Sequence, residues 1–169
     1  MPNTIREITF HFEHPEEISK ERLAQIERLI LDHGEVGRAF VKENLRNAFL
    51  IGYAMDRKQD VIGTVILKRQ KEKYRRQIEA ATGLDLSGHL ERGYTSVDPH
   101  WRGAGIAGKL ISGLVERSRD QRVYVTIGLD NAAALKLTRN NRMSLAGTFL
   151  NPRTGRKIGV FVNSMKNDQ

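Results

Sequence analysis

The sequence predicts an α/β protein, one mixed β-sheet of about seven strands flanked by four to five helices. Three observations carry this. Residues 89–129 read as strand, glycine-rich turn, amphipathic helix and strand, the pattern of two parallel strands joined by a crossover helix. Residues 48–55 and 61–68 are apolar strands on either side of the polar turn Asp56-Arg57-Lys58-Gln59-Asp60. Residues 144–150 and 158–162 are two more strands, around the turn Asn151-Pro152-Arg153-Thr154-Gly155-Arg156.

Length and composition bound the rest. A chain of 169 residues suits a single domain spanning 1–169, which buries roughly two-thirds of its unfolded surface. No apolar run is long enough for a bilayer, and Met1-Pro2-Asn3-Thr4-Ile5-Arg6-Glu7 lacks the apolar segment of a signal peptide. The absence of cysteine removes disulfides, thiol nucleophiles and any Cys-based metal site. The expectation is a cytoplasmic protein with no metal and no membrane partner. A net charge of +8, from 28 Lys+Arg against 20 Asp+Glu, suits a polyphosphate cofactor, nucleic acid or mere solubility. The excess is concentrated at Lys68, Arg69, Lys71, Lys73, Arg75 and Arg76 and again at Arg139, Arg142, Arg153, Arg156 and Lys157, with no RNA- or DNA-reading motif beside them.

Taken in order, residues 5–12 alternate imperfectly and read as a first strand, stopped by His14-Pro15. Ser19 is placed to cap a helix whose apolar stripe is Leu23, Ile26, Leu29 and Ile30 and which runs to His33-Gly34. A second short helix is expected over 36–45, behind Gly34 and Gly37. After the 48–68 hairpin, residues 70–82 space Tyr74, Ile78 and Ala81 along one helix face, with the remainder highly charged. This segment is expected to be an inserted charged helix at about 69–87: a cover for a substrate site, a contact for a second subunit or an acidic partner, or a solvated helix. Residues 89–97 form the next strand, 122–129 another with Val123, Val125, Ile127 and Leu129 on one face, and 132–140 a helix opened by Asp130-Asn131.

Between 93 and 119 lies the stretch that carries chemistry. Asp98-Pro99 ends a strand, and Gly103, Gly105 and Gly108 open a helix with Ile106, Leu110 and Leu114 on its apolar face. First-turn amides are unpaired and carry the positive end of the helix dipole, so phosphate oxygens suit them, provided no β-carbon holds the ligand off. The alternative is that the glycines serve only tight helix-on-strand packing. A Walker loop is excluded because Lys109 is followed by Leu110 rather than Ser or Thr. The dinucleotide pattern G-x-G-x-x-G is matched by residues 103–108, but no acidic residue follows at the ribose-binding position.

Arg102-Gly103-Ala104-Gly105-Ile106-Ala107 satisfies Q/R-x-x-G-x-G/A, and the chain here resembles the GNAT superfamily of acyl-CoA N-acetyltransferases. Asn131, Ala134 and Leu137 fall in register with that family's second motif, N-x-x-A-x-x-L-Y, while Thr138 stands where its tyrosine belongs and Arg142-Met143 where Gly-Phe belongs. The likeness covers roughly residues 47–150 by motif and the first 45 by element order. It implies a twisted mixed sheet whose central strands splay apart, with acetyl-CoA in the gap. It implies diphosphate on residues 102–108, pantetheine along Thr95, Ser96 and Val97, and Asn131 as a further cofactor residue.

The resemblance also implies an acceptor site walled by the two helices after the first strand, where Asp32, His33, Glu35 and Arg38 are candidates alongside the reading that they are solvated loop. Direct attack on the thioester needs a neutral amine, and a base helps because an alkyl ammonium with pKa near ~10.4 is almost wholly protonated at neutral pH. Glu91 stands where histone-type members carry a glutamate base; the alternative is a strand carboxylate paired with Arg92. On strict strand alternation Glu91, Gly93, Thr95 and Val97 share one face and Tyr94 and Ser96 the other. His89 is the reserve base. The family's tyrosine protonates the departing thiolate; here Thr138 is a weaker acid able to hydrogen-bond the sulfur, Tyr94 substitutes if its ring reaches the gap, or the thiolate leaves unaided. The second function class is a degenerate member that binds CoA, or nucleic acid through its basic surface, without turnover. The acceptor is open among amino acids, polyamines, aminoglycosides and protein N-termini, with the basic surface tilting against a cationic one, and homodimers are common among such relatives.

Overall fold

A computed structural model describes residues 7–33 and 38–164. In chain order the elements are β1 (Thr9–Glu13), α1 (Lys20–His33), α2 (Val41–Arg46), β2 (Leu50–Met55), β3 (Val61–Lys68), α3 (Glu72–Thr82), β4 (Leu90–Val97), α4 (Ile106–Arg117), β5 (Val123–Gly128), α5 (Ala132–Asn140), β6 (Met143–Leu150) and β7 (Lys157–Asn163). Among the described residues these are seven strands and five helices; β1–β2, β2–β3, β5–β7 and β6–β7 pair antiparallel and β4–β5 parallel, so the protein has the mixed α/β fold expected. The second helix starts later than its sequence suggests. Phe40 sits at its N-cap with φ −118° and ψ 1°, and a 3-10 turn, Arg38–Phe40, precedes it; residues 34–37 lie outside the described residues. None of the described helices is long and apolar enough to cross a membrane.

The chain divides into two compact units, with the cuts inside or beside β3, β4 and α4. One holds Met1–Lys68 and Gly93–Leu114, the other Arg69–Arg92 and Val115–Gln169. In the first, β1, β2 and β3 form an antiparallel meander with residues 93–97 of β4 beside β3. Ser19 Oγ accepts the Arg22 amide at 3.1 Å, the capping bond predicted for α1. Ile26 and Ile30 of α1 are fully buried in a cluster with Val41, Leu45, Ile51 and Ile66. The strand β3 is buried along almost its whole length, as a strand covered on both faces must be. Gly63 is the reason α4 can come so close: a β-carbon there would lie 2.6 Å from Ile106 Cγ2. The first turn of α4 is thereby seated directly on the strand.

In the second unit the order is β4-β5-β7-β6, with residues 90–92 of β4 next to β5. The β6–β7 hairpin is closed by Asn151, whose Oδ1 accepts the Arg153 amide at 2.9 Å, and by Gly155 at φ 69°. The helix α3 is not merely solvated. Ile78 is 1% exposed and packs with Leu86, Tyr124 and Val160, while Arg75 and Glu79 pair at 3.2 Å on a largely covered part of the helix. Its end is fixed by Gly83, left-handed at φ 74°, whose amide donates to Glu79 O at 2.8 Å.

Candidate active site

In the first unit the strand-to-helix turn is built as its residues dictate. The Asp98 amide donates to Ile62 O at 2.8 Å, and its carboxylate accepts the His100 amide at 2.9 Å, closing the 3-10 turn Pro99–Trp101. That amide bond, helped by the His100 ring, holds the Asp98 carboxyl below the usual carboxylate range. Arg102 is exposed and extended. Gly103 and Gly105 follow with φ of 83° and 75°, and nothing lies within 4 Å of where a β-carbon would stand on either. This separates two explanations for them: neither glycine is required by packing, whereas both are required by backbone conformation and leave open space over the loop. The first helical bond is Lys109 N–H to Gly105 O at 3.1 Å, so the amides of Ile106, Ala107 and Gly108 precede the hydrogen-bonded ladder.

Leading into this turn, β4 is not a plain strand. Tyr94 has φ 48°, a left-handed conformation uncommon outside glycine. Alternation of exposure nonetheless runs along the strand as expected: Leu90, Arg92 and Ser96 are buried, Glu91 and Val97 are half-buried and Thr95 is exposed. The Tyr94 hydroxyl accepts from Asn44 Nδ2 at 2.6 Å, and Lys68 Nζ lies 4.4 Å from its ring centroid. The ring packs against the α1–α2 cluster, which occupies the phenol as a positioning contact. Ser96 is 3% exposed, and its Oγ has no partner.

In the second unit β4 and β5 pair at Leu90↔Val123 and Glu91↔Tyr124. Glu91 is half-buried, and Tyr124 OH donates to its Oε2 at 3.3 Å. Burial first, and then the Glu91 charge, push the Tyr124 phenol well above its ordinary value, so it acts here as a hydrogen-bond donor and not as a phenolate. His89 meets the Tyr124 ring edge-on, with centroids 6.4 Å apart.

Arg92 points away from the role sequence gave it, as a surface partner for Glu91. It is 5% exposed; Nη2 donates to Thr138 Oγ1 at 2.7 Å, Nη1 approaches Met143 Sδ at 3.6 Å and Nε has no partner. Burial pulls its pKa down to about 10. Thr138 is itself 0% exposed, so its hydroxyl is committed to the guanidinium and is not presented to a ligand. Asn131 has a structural task too, its Oδ1 accepting the Ala134 amide at 3.1 Å as the N-cap of α5. Asp32 and His33 are exposed in the last turn of α1; Glu35 lies outside the described residues. Sequence reasoning missed Arg92 and Tyr124. The available signal for Arg92 was its place two residues after the apolar Leu90 in a strand, the register of an inward-facing side chain. Among the described residues no group of three or more His, Asp or Glu side chains is arranged to hold a metal ion.

The chain matches the family model described as Acetyltransferase (GNAT) family over residues 10–141. None of the curated proteins matches in sequence. Among solved structures, NAA60 of Arabidopsis thaliana in complex with acetyl-CoA is 19% identical, with a TM-score of 0.68 over 93% of this chain and 100% of that one. The ribosomal-protein-S18-alanine N-acetyltransferase of Escherichia coli is 10% identical, with a TM-score of 0.64 over 92% of this chain and 93% of that one. An acyl-CoA N-acyltransferase from Pseudomonas aeruginosa is 12% identical, with a TM-score of 0.65 over 94% of this chain and 100% of that one. At such identities the likeness is one of fold.

Proposed function

Since the chain belongs to the GNAT acetyltransferase family, we propose that it moves the acetyl group of acetyl-CoA to a primary amine by direct attack. The observation that carries this is the loop: Gly103 and Gly105 hold left-handed backbone with open space above them at the start of a twelve-residue helix. Such a turn accepts diphosphate oxygens on the amides of residues 106–108, with Arg102 adding charge. Solved relatives of this fold are complexes with CoA or acetyl-CoA, which supports the same ligand here. The extended stretch Thr95, Ser96, Val97 offers backbone groups to the pantetheine arm.

Glu91 is the base in this reading. Its carboxylate takes the proton from the ammonium; the freed nitrogen lone pair attacks the thioester carbonyl, the new C–N bond forms, and the C–S bond breaks. Because Thr138 is committed to Arg92, the thiolate leaves without the proton donor that position would supply, which a thiol pKa near ~8.5 permits, and it takes up the second proton, which the nitrogen sheds as the amide forms. That same feature supports a second reading, a family member that binds CoA without turnover. One experiment divides them: calorimetry with CoA, and thiol release from acetyl-CoA with a panel of amines. Release that Glu91→Gln suppresses supports the transferase; tight CoA binding with no release for any amine supports the binder; no CoA binding ends both.

A further inference from the structure

The second unit contains a cavity of about 620 Å³ whose lining includes Tyr74 and Ile78 of α3, Thr126 of β5, and Phe149, Arg153 and Ile158 of the β6–β7 hairpin. Its size falls within the range of pockets that enclose small molecules. Its walls are largely apolar, with hydroxyls from Tyr74 and Thr126 placed 3.4 Å apart. Among the described residues Arg153 is the only charged side chain lining it, and its guanidinium forms no ion pair; no carboxylate lines the cavity. The base proposed above is close by. Tyr124, which donates to Glu91 Oε2, packs against Ile78 in one buried cluster, and Glu91, after burial, adds to what holds the Tyr74 phenol above its ordinary value.

Resting on the acetyltransferase reading, we infer that this cavity is the acceptor pocket, that α3 is its wall, and that it takes a small amine with an aromatic or branched apolar body and a carboxylate. The three parts of that molecule have their counterparts in the site. The amine belongs at the Glu91 side, the apolar body against Ile78, Phe149 and Ile158, and the carboxylate on Arg153. A polyamine or an aminoglycoside would leave its further cations facing Arg153 with no carboxylate in the lining to hold them. A charge-assisted bond of this kind is worth roughly tenfold or more in kcat/KM.

The test compares L-phenylalanine with phenethylamine, and 4-(aminomethyl)benzoate with benzylamine, two separations of amine and carboxylate. The expected result is a roughly tenfold or greater preference for the carboxylate of at least one pair, lost in Arg153→Ala. Ala81→Trp, at a solvent-exposed helix position that also lines the cavity, is expected to raise KM for the aromatic acceptors while CoA binding by calorimetry stays unchanged. Titration of the two acids into the protein, with and without CoA, keeps the pocket separable from the chemistry. Binding that Ala81→Trp abolishes supports the pocket even if acetyl transfer fails. CoA binding with no uptake of either acid, or faster acetylation of spermidine or of peptide N-termini that neither substitution changes, overturns the assignment.

Discussion

The Nη2 of Arg92 lies 2.7 Å from Oγ1 of Thr138, with both side chains buried in the second unit and, among the described residues, no carboxylate paired with the guanidinium. A buried cation held by one hydroxyl and a thioether has given up hydration for little Coulombic return.

Thr138→Val should therefore be costly out of proportion to its size. It keeps the shape and removes the acceptor, leaving a buried donor unsatisfied at about 1–3 kcal/mol. Urea denaturation should show that loss, whereas Arg92→Met, which removes the charge together with its need for a partner, should cost less than Thr138→Val or even stabilise. Equal stability of wild type and Thr138→Val would mean the hydroxyl contributes nothing.

At the loop, backbone conformation and ligand access can be separated by choice of side chain. Asparagine tolerates left-handed backbone far better than valine does. Gly105→Asn should leave the melting temperature nearly unchanged and weaken CoA binding by about tenfold or more, because it places atoms where a ligand must approach. Gly105→Val should lose both, since φ is 75° there, a conformation costing about 1–3 kcal/mol for a β-branched residue. If calorimetry gives wild-type CoA affinity for Gly105→Asn, the diphosphate does not lie on this turn.

Gly63 makes the opposite case, a glycine needed for contact. Its missing β-carbon is replaced by Ile106 Cγ2, so Gly63→Ala should destabilise by about 1–3 kcal/mol through overpacking. It should also weaken CoA binding, because what it displaces is the first turn of α4. Ile106→Leu in the same background, which lacks the Cγ2 methyl, should restore part of both, a double-mutant cycle that unrelated effects would not produce.

Much of this could be read from the chain alone, for reasons particular residues make plain. The bounds of β3 and α5 are set by turn residues at both ends, and the Gly103–Gly105 loop is written in residue types that few backbones demand. Three features were hidden. The left-handed Tyr94 has no local signal, since only tertiary contacts with Asn44 and Lys68 hold it there. Thr138 and Arg92 are 46 positions apart, and no periodicity reports such a pair. The face of α3 that carries Tyr74, Ile78 and Ala81 was legible, but its burial was not, because a short apolar stripe on a charged helix suits a solvated helix equally well until Tyr124 and Val160 cover Ile78.

Acid sensitivity should be traceable to the turn itself. The His100 amide and ring hold Asp98 below its ordinary value of 3.8, so the unfolded chain binds this proton more readily than the folded one. The stability contributed is full above the ordinary carboxyl value and is lost as pH falls through the lower folded value. Asp98→Ala should therefore be less stable than wild type at neutral pH, and the gap should narrow as the pH is taken below about 3.8, visible in urea midpoints at a series of pH values. Asp98→Asn, whose amide oxygen can still accept the His100 N–H, should fall between the two at neutral pH. A gap between wild type and Asp98→Ala that stays constant through that range would assign the loss to packing and not to the carboxylate.

Glu91 and Tyr124 close the series because they separate proton transfer from its support. Glu91→Gln retains shape and hydrogen bonding but cannot take a proton, and removal of a general base lowers kcat/KM by about 10²-fold or more. Tyr124→Phe deletes one donor at 3.3 Å from the carboxylate, a long bond, and should lower kcat/KM by less than tenfold while leaving CoA affinity intact. The ordering is the test: a larger loss from Tyr124→Phe than from Glu91→Gln, measured by thiol release at saturating acetyl-CoA, would move the acid–base role from the carboxylate to the phenol.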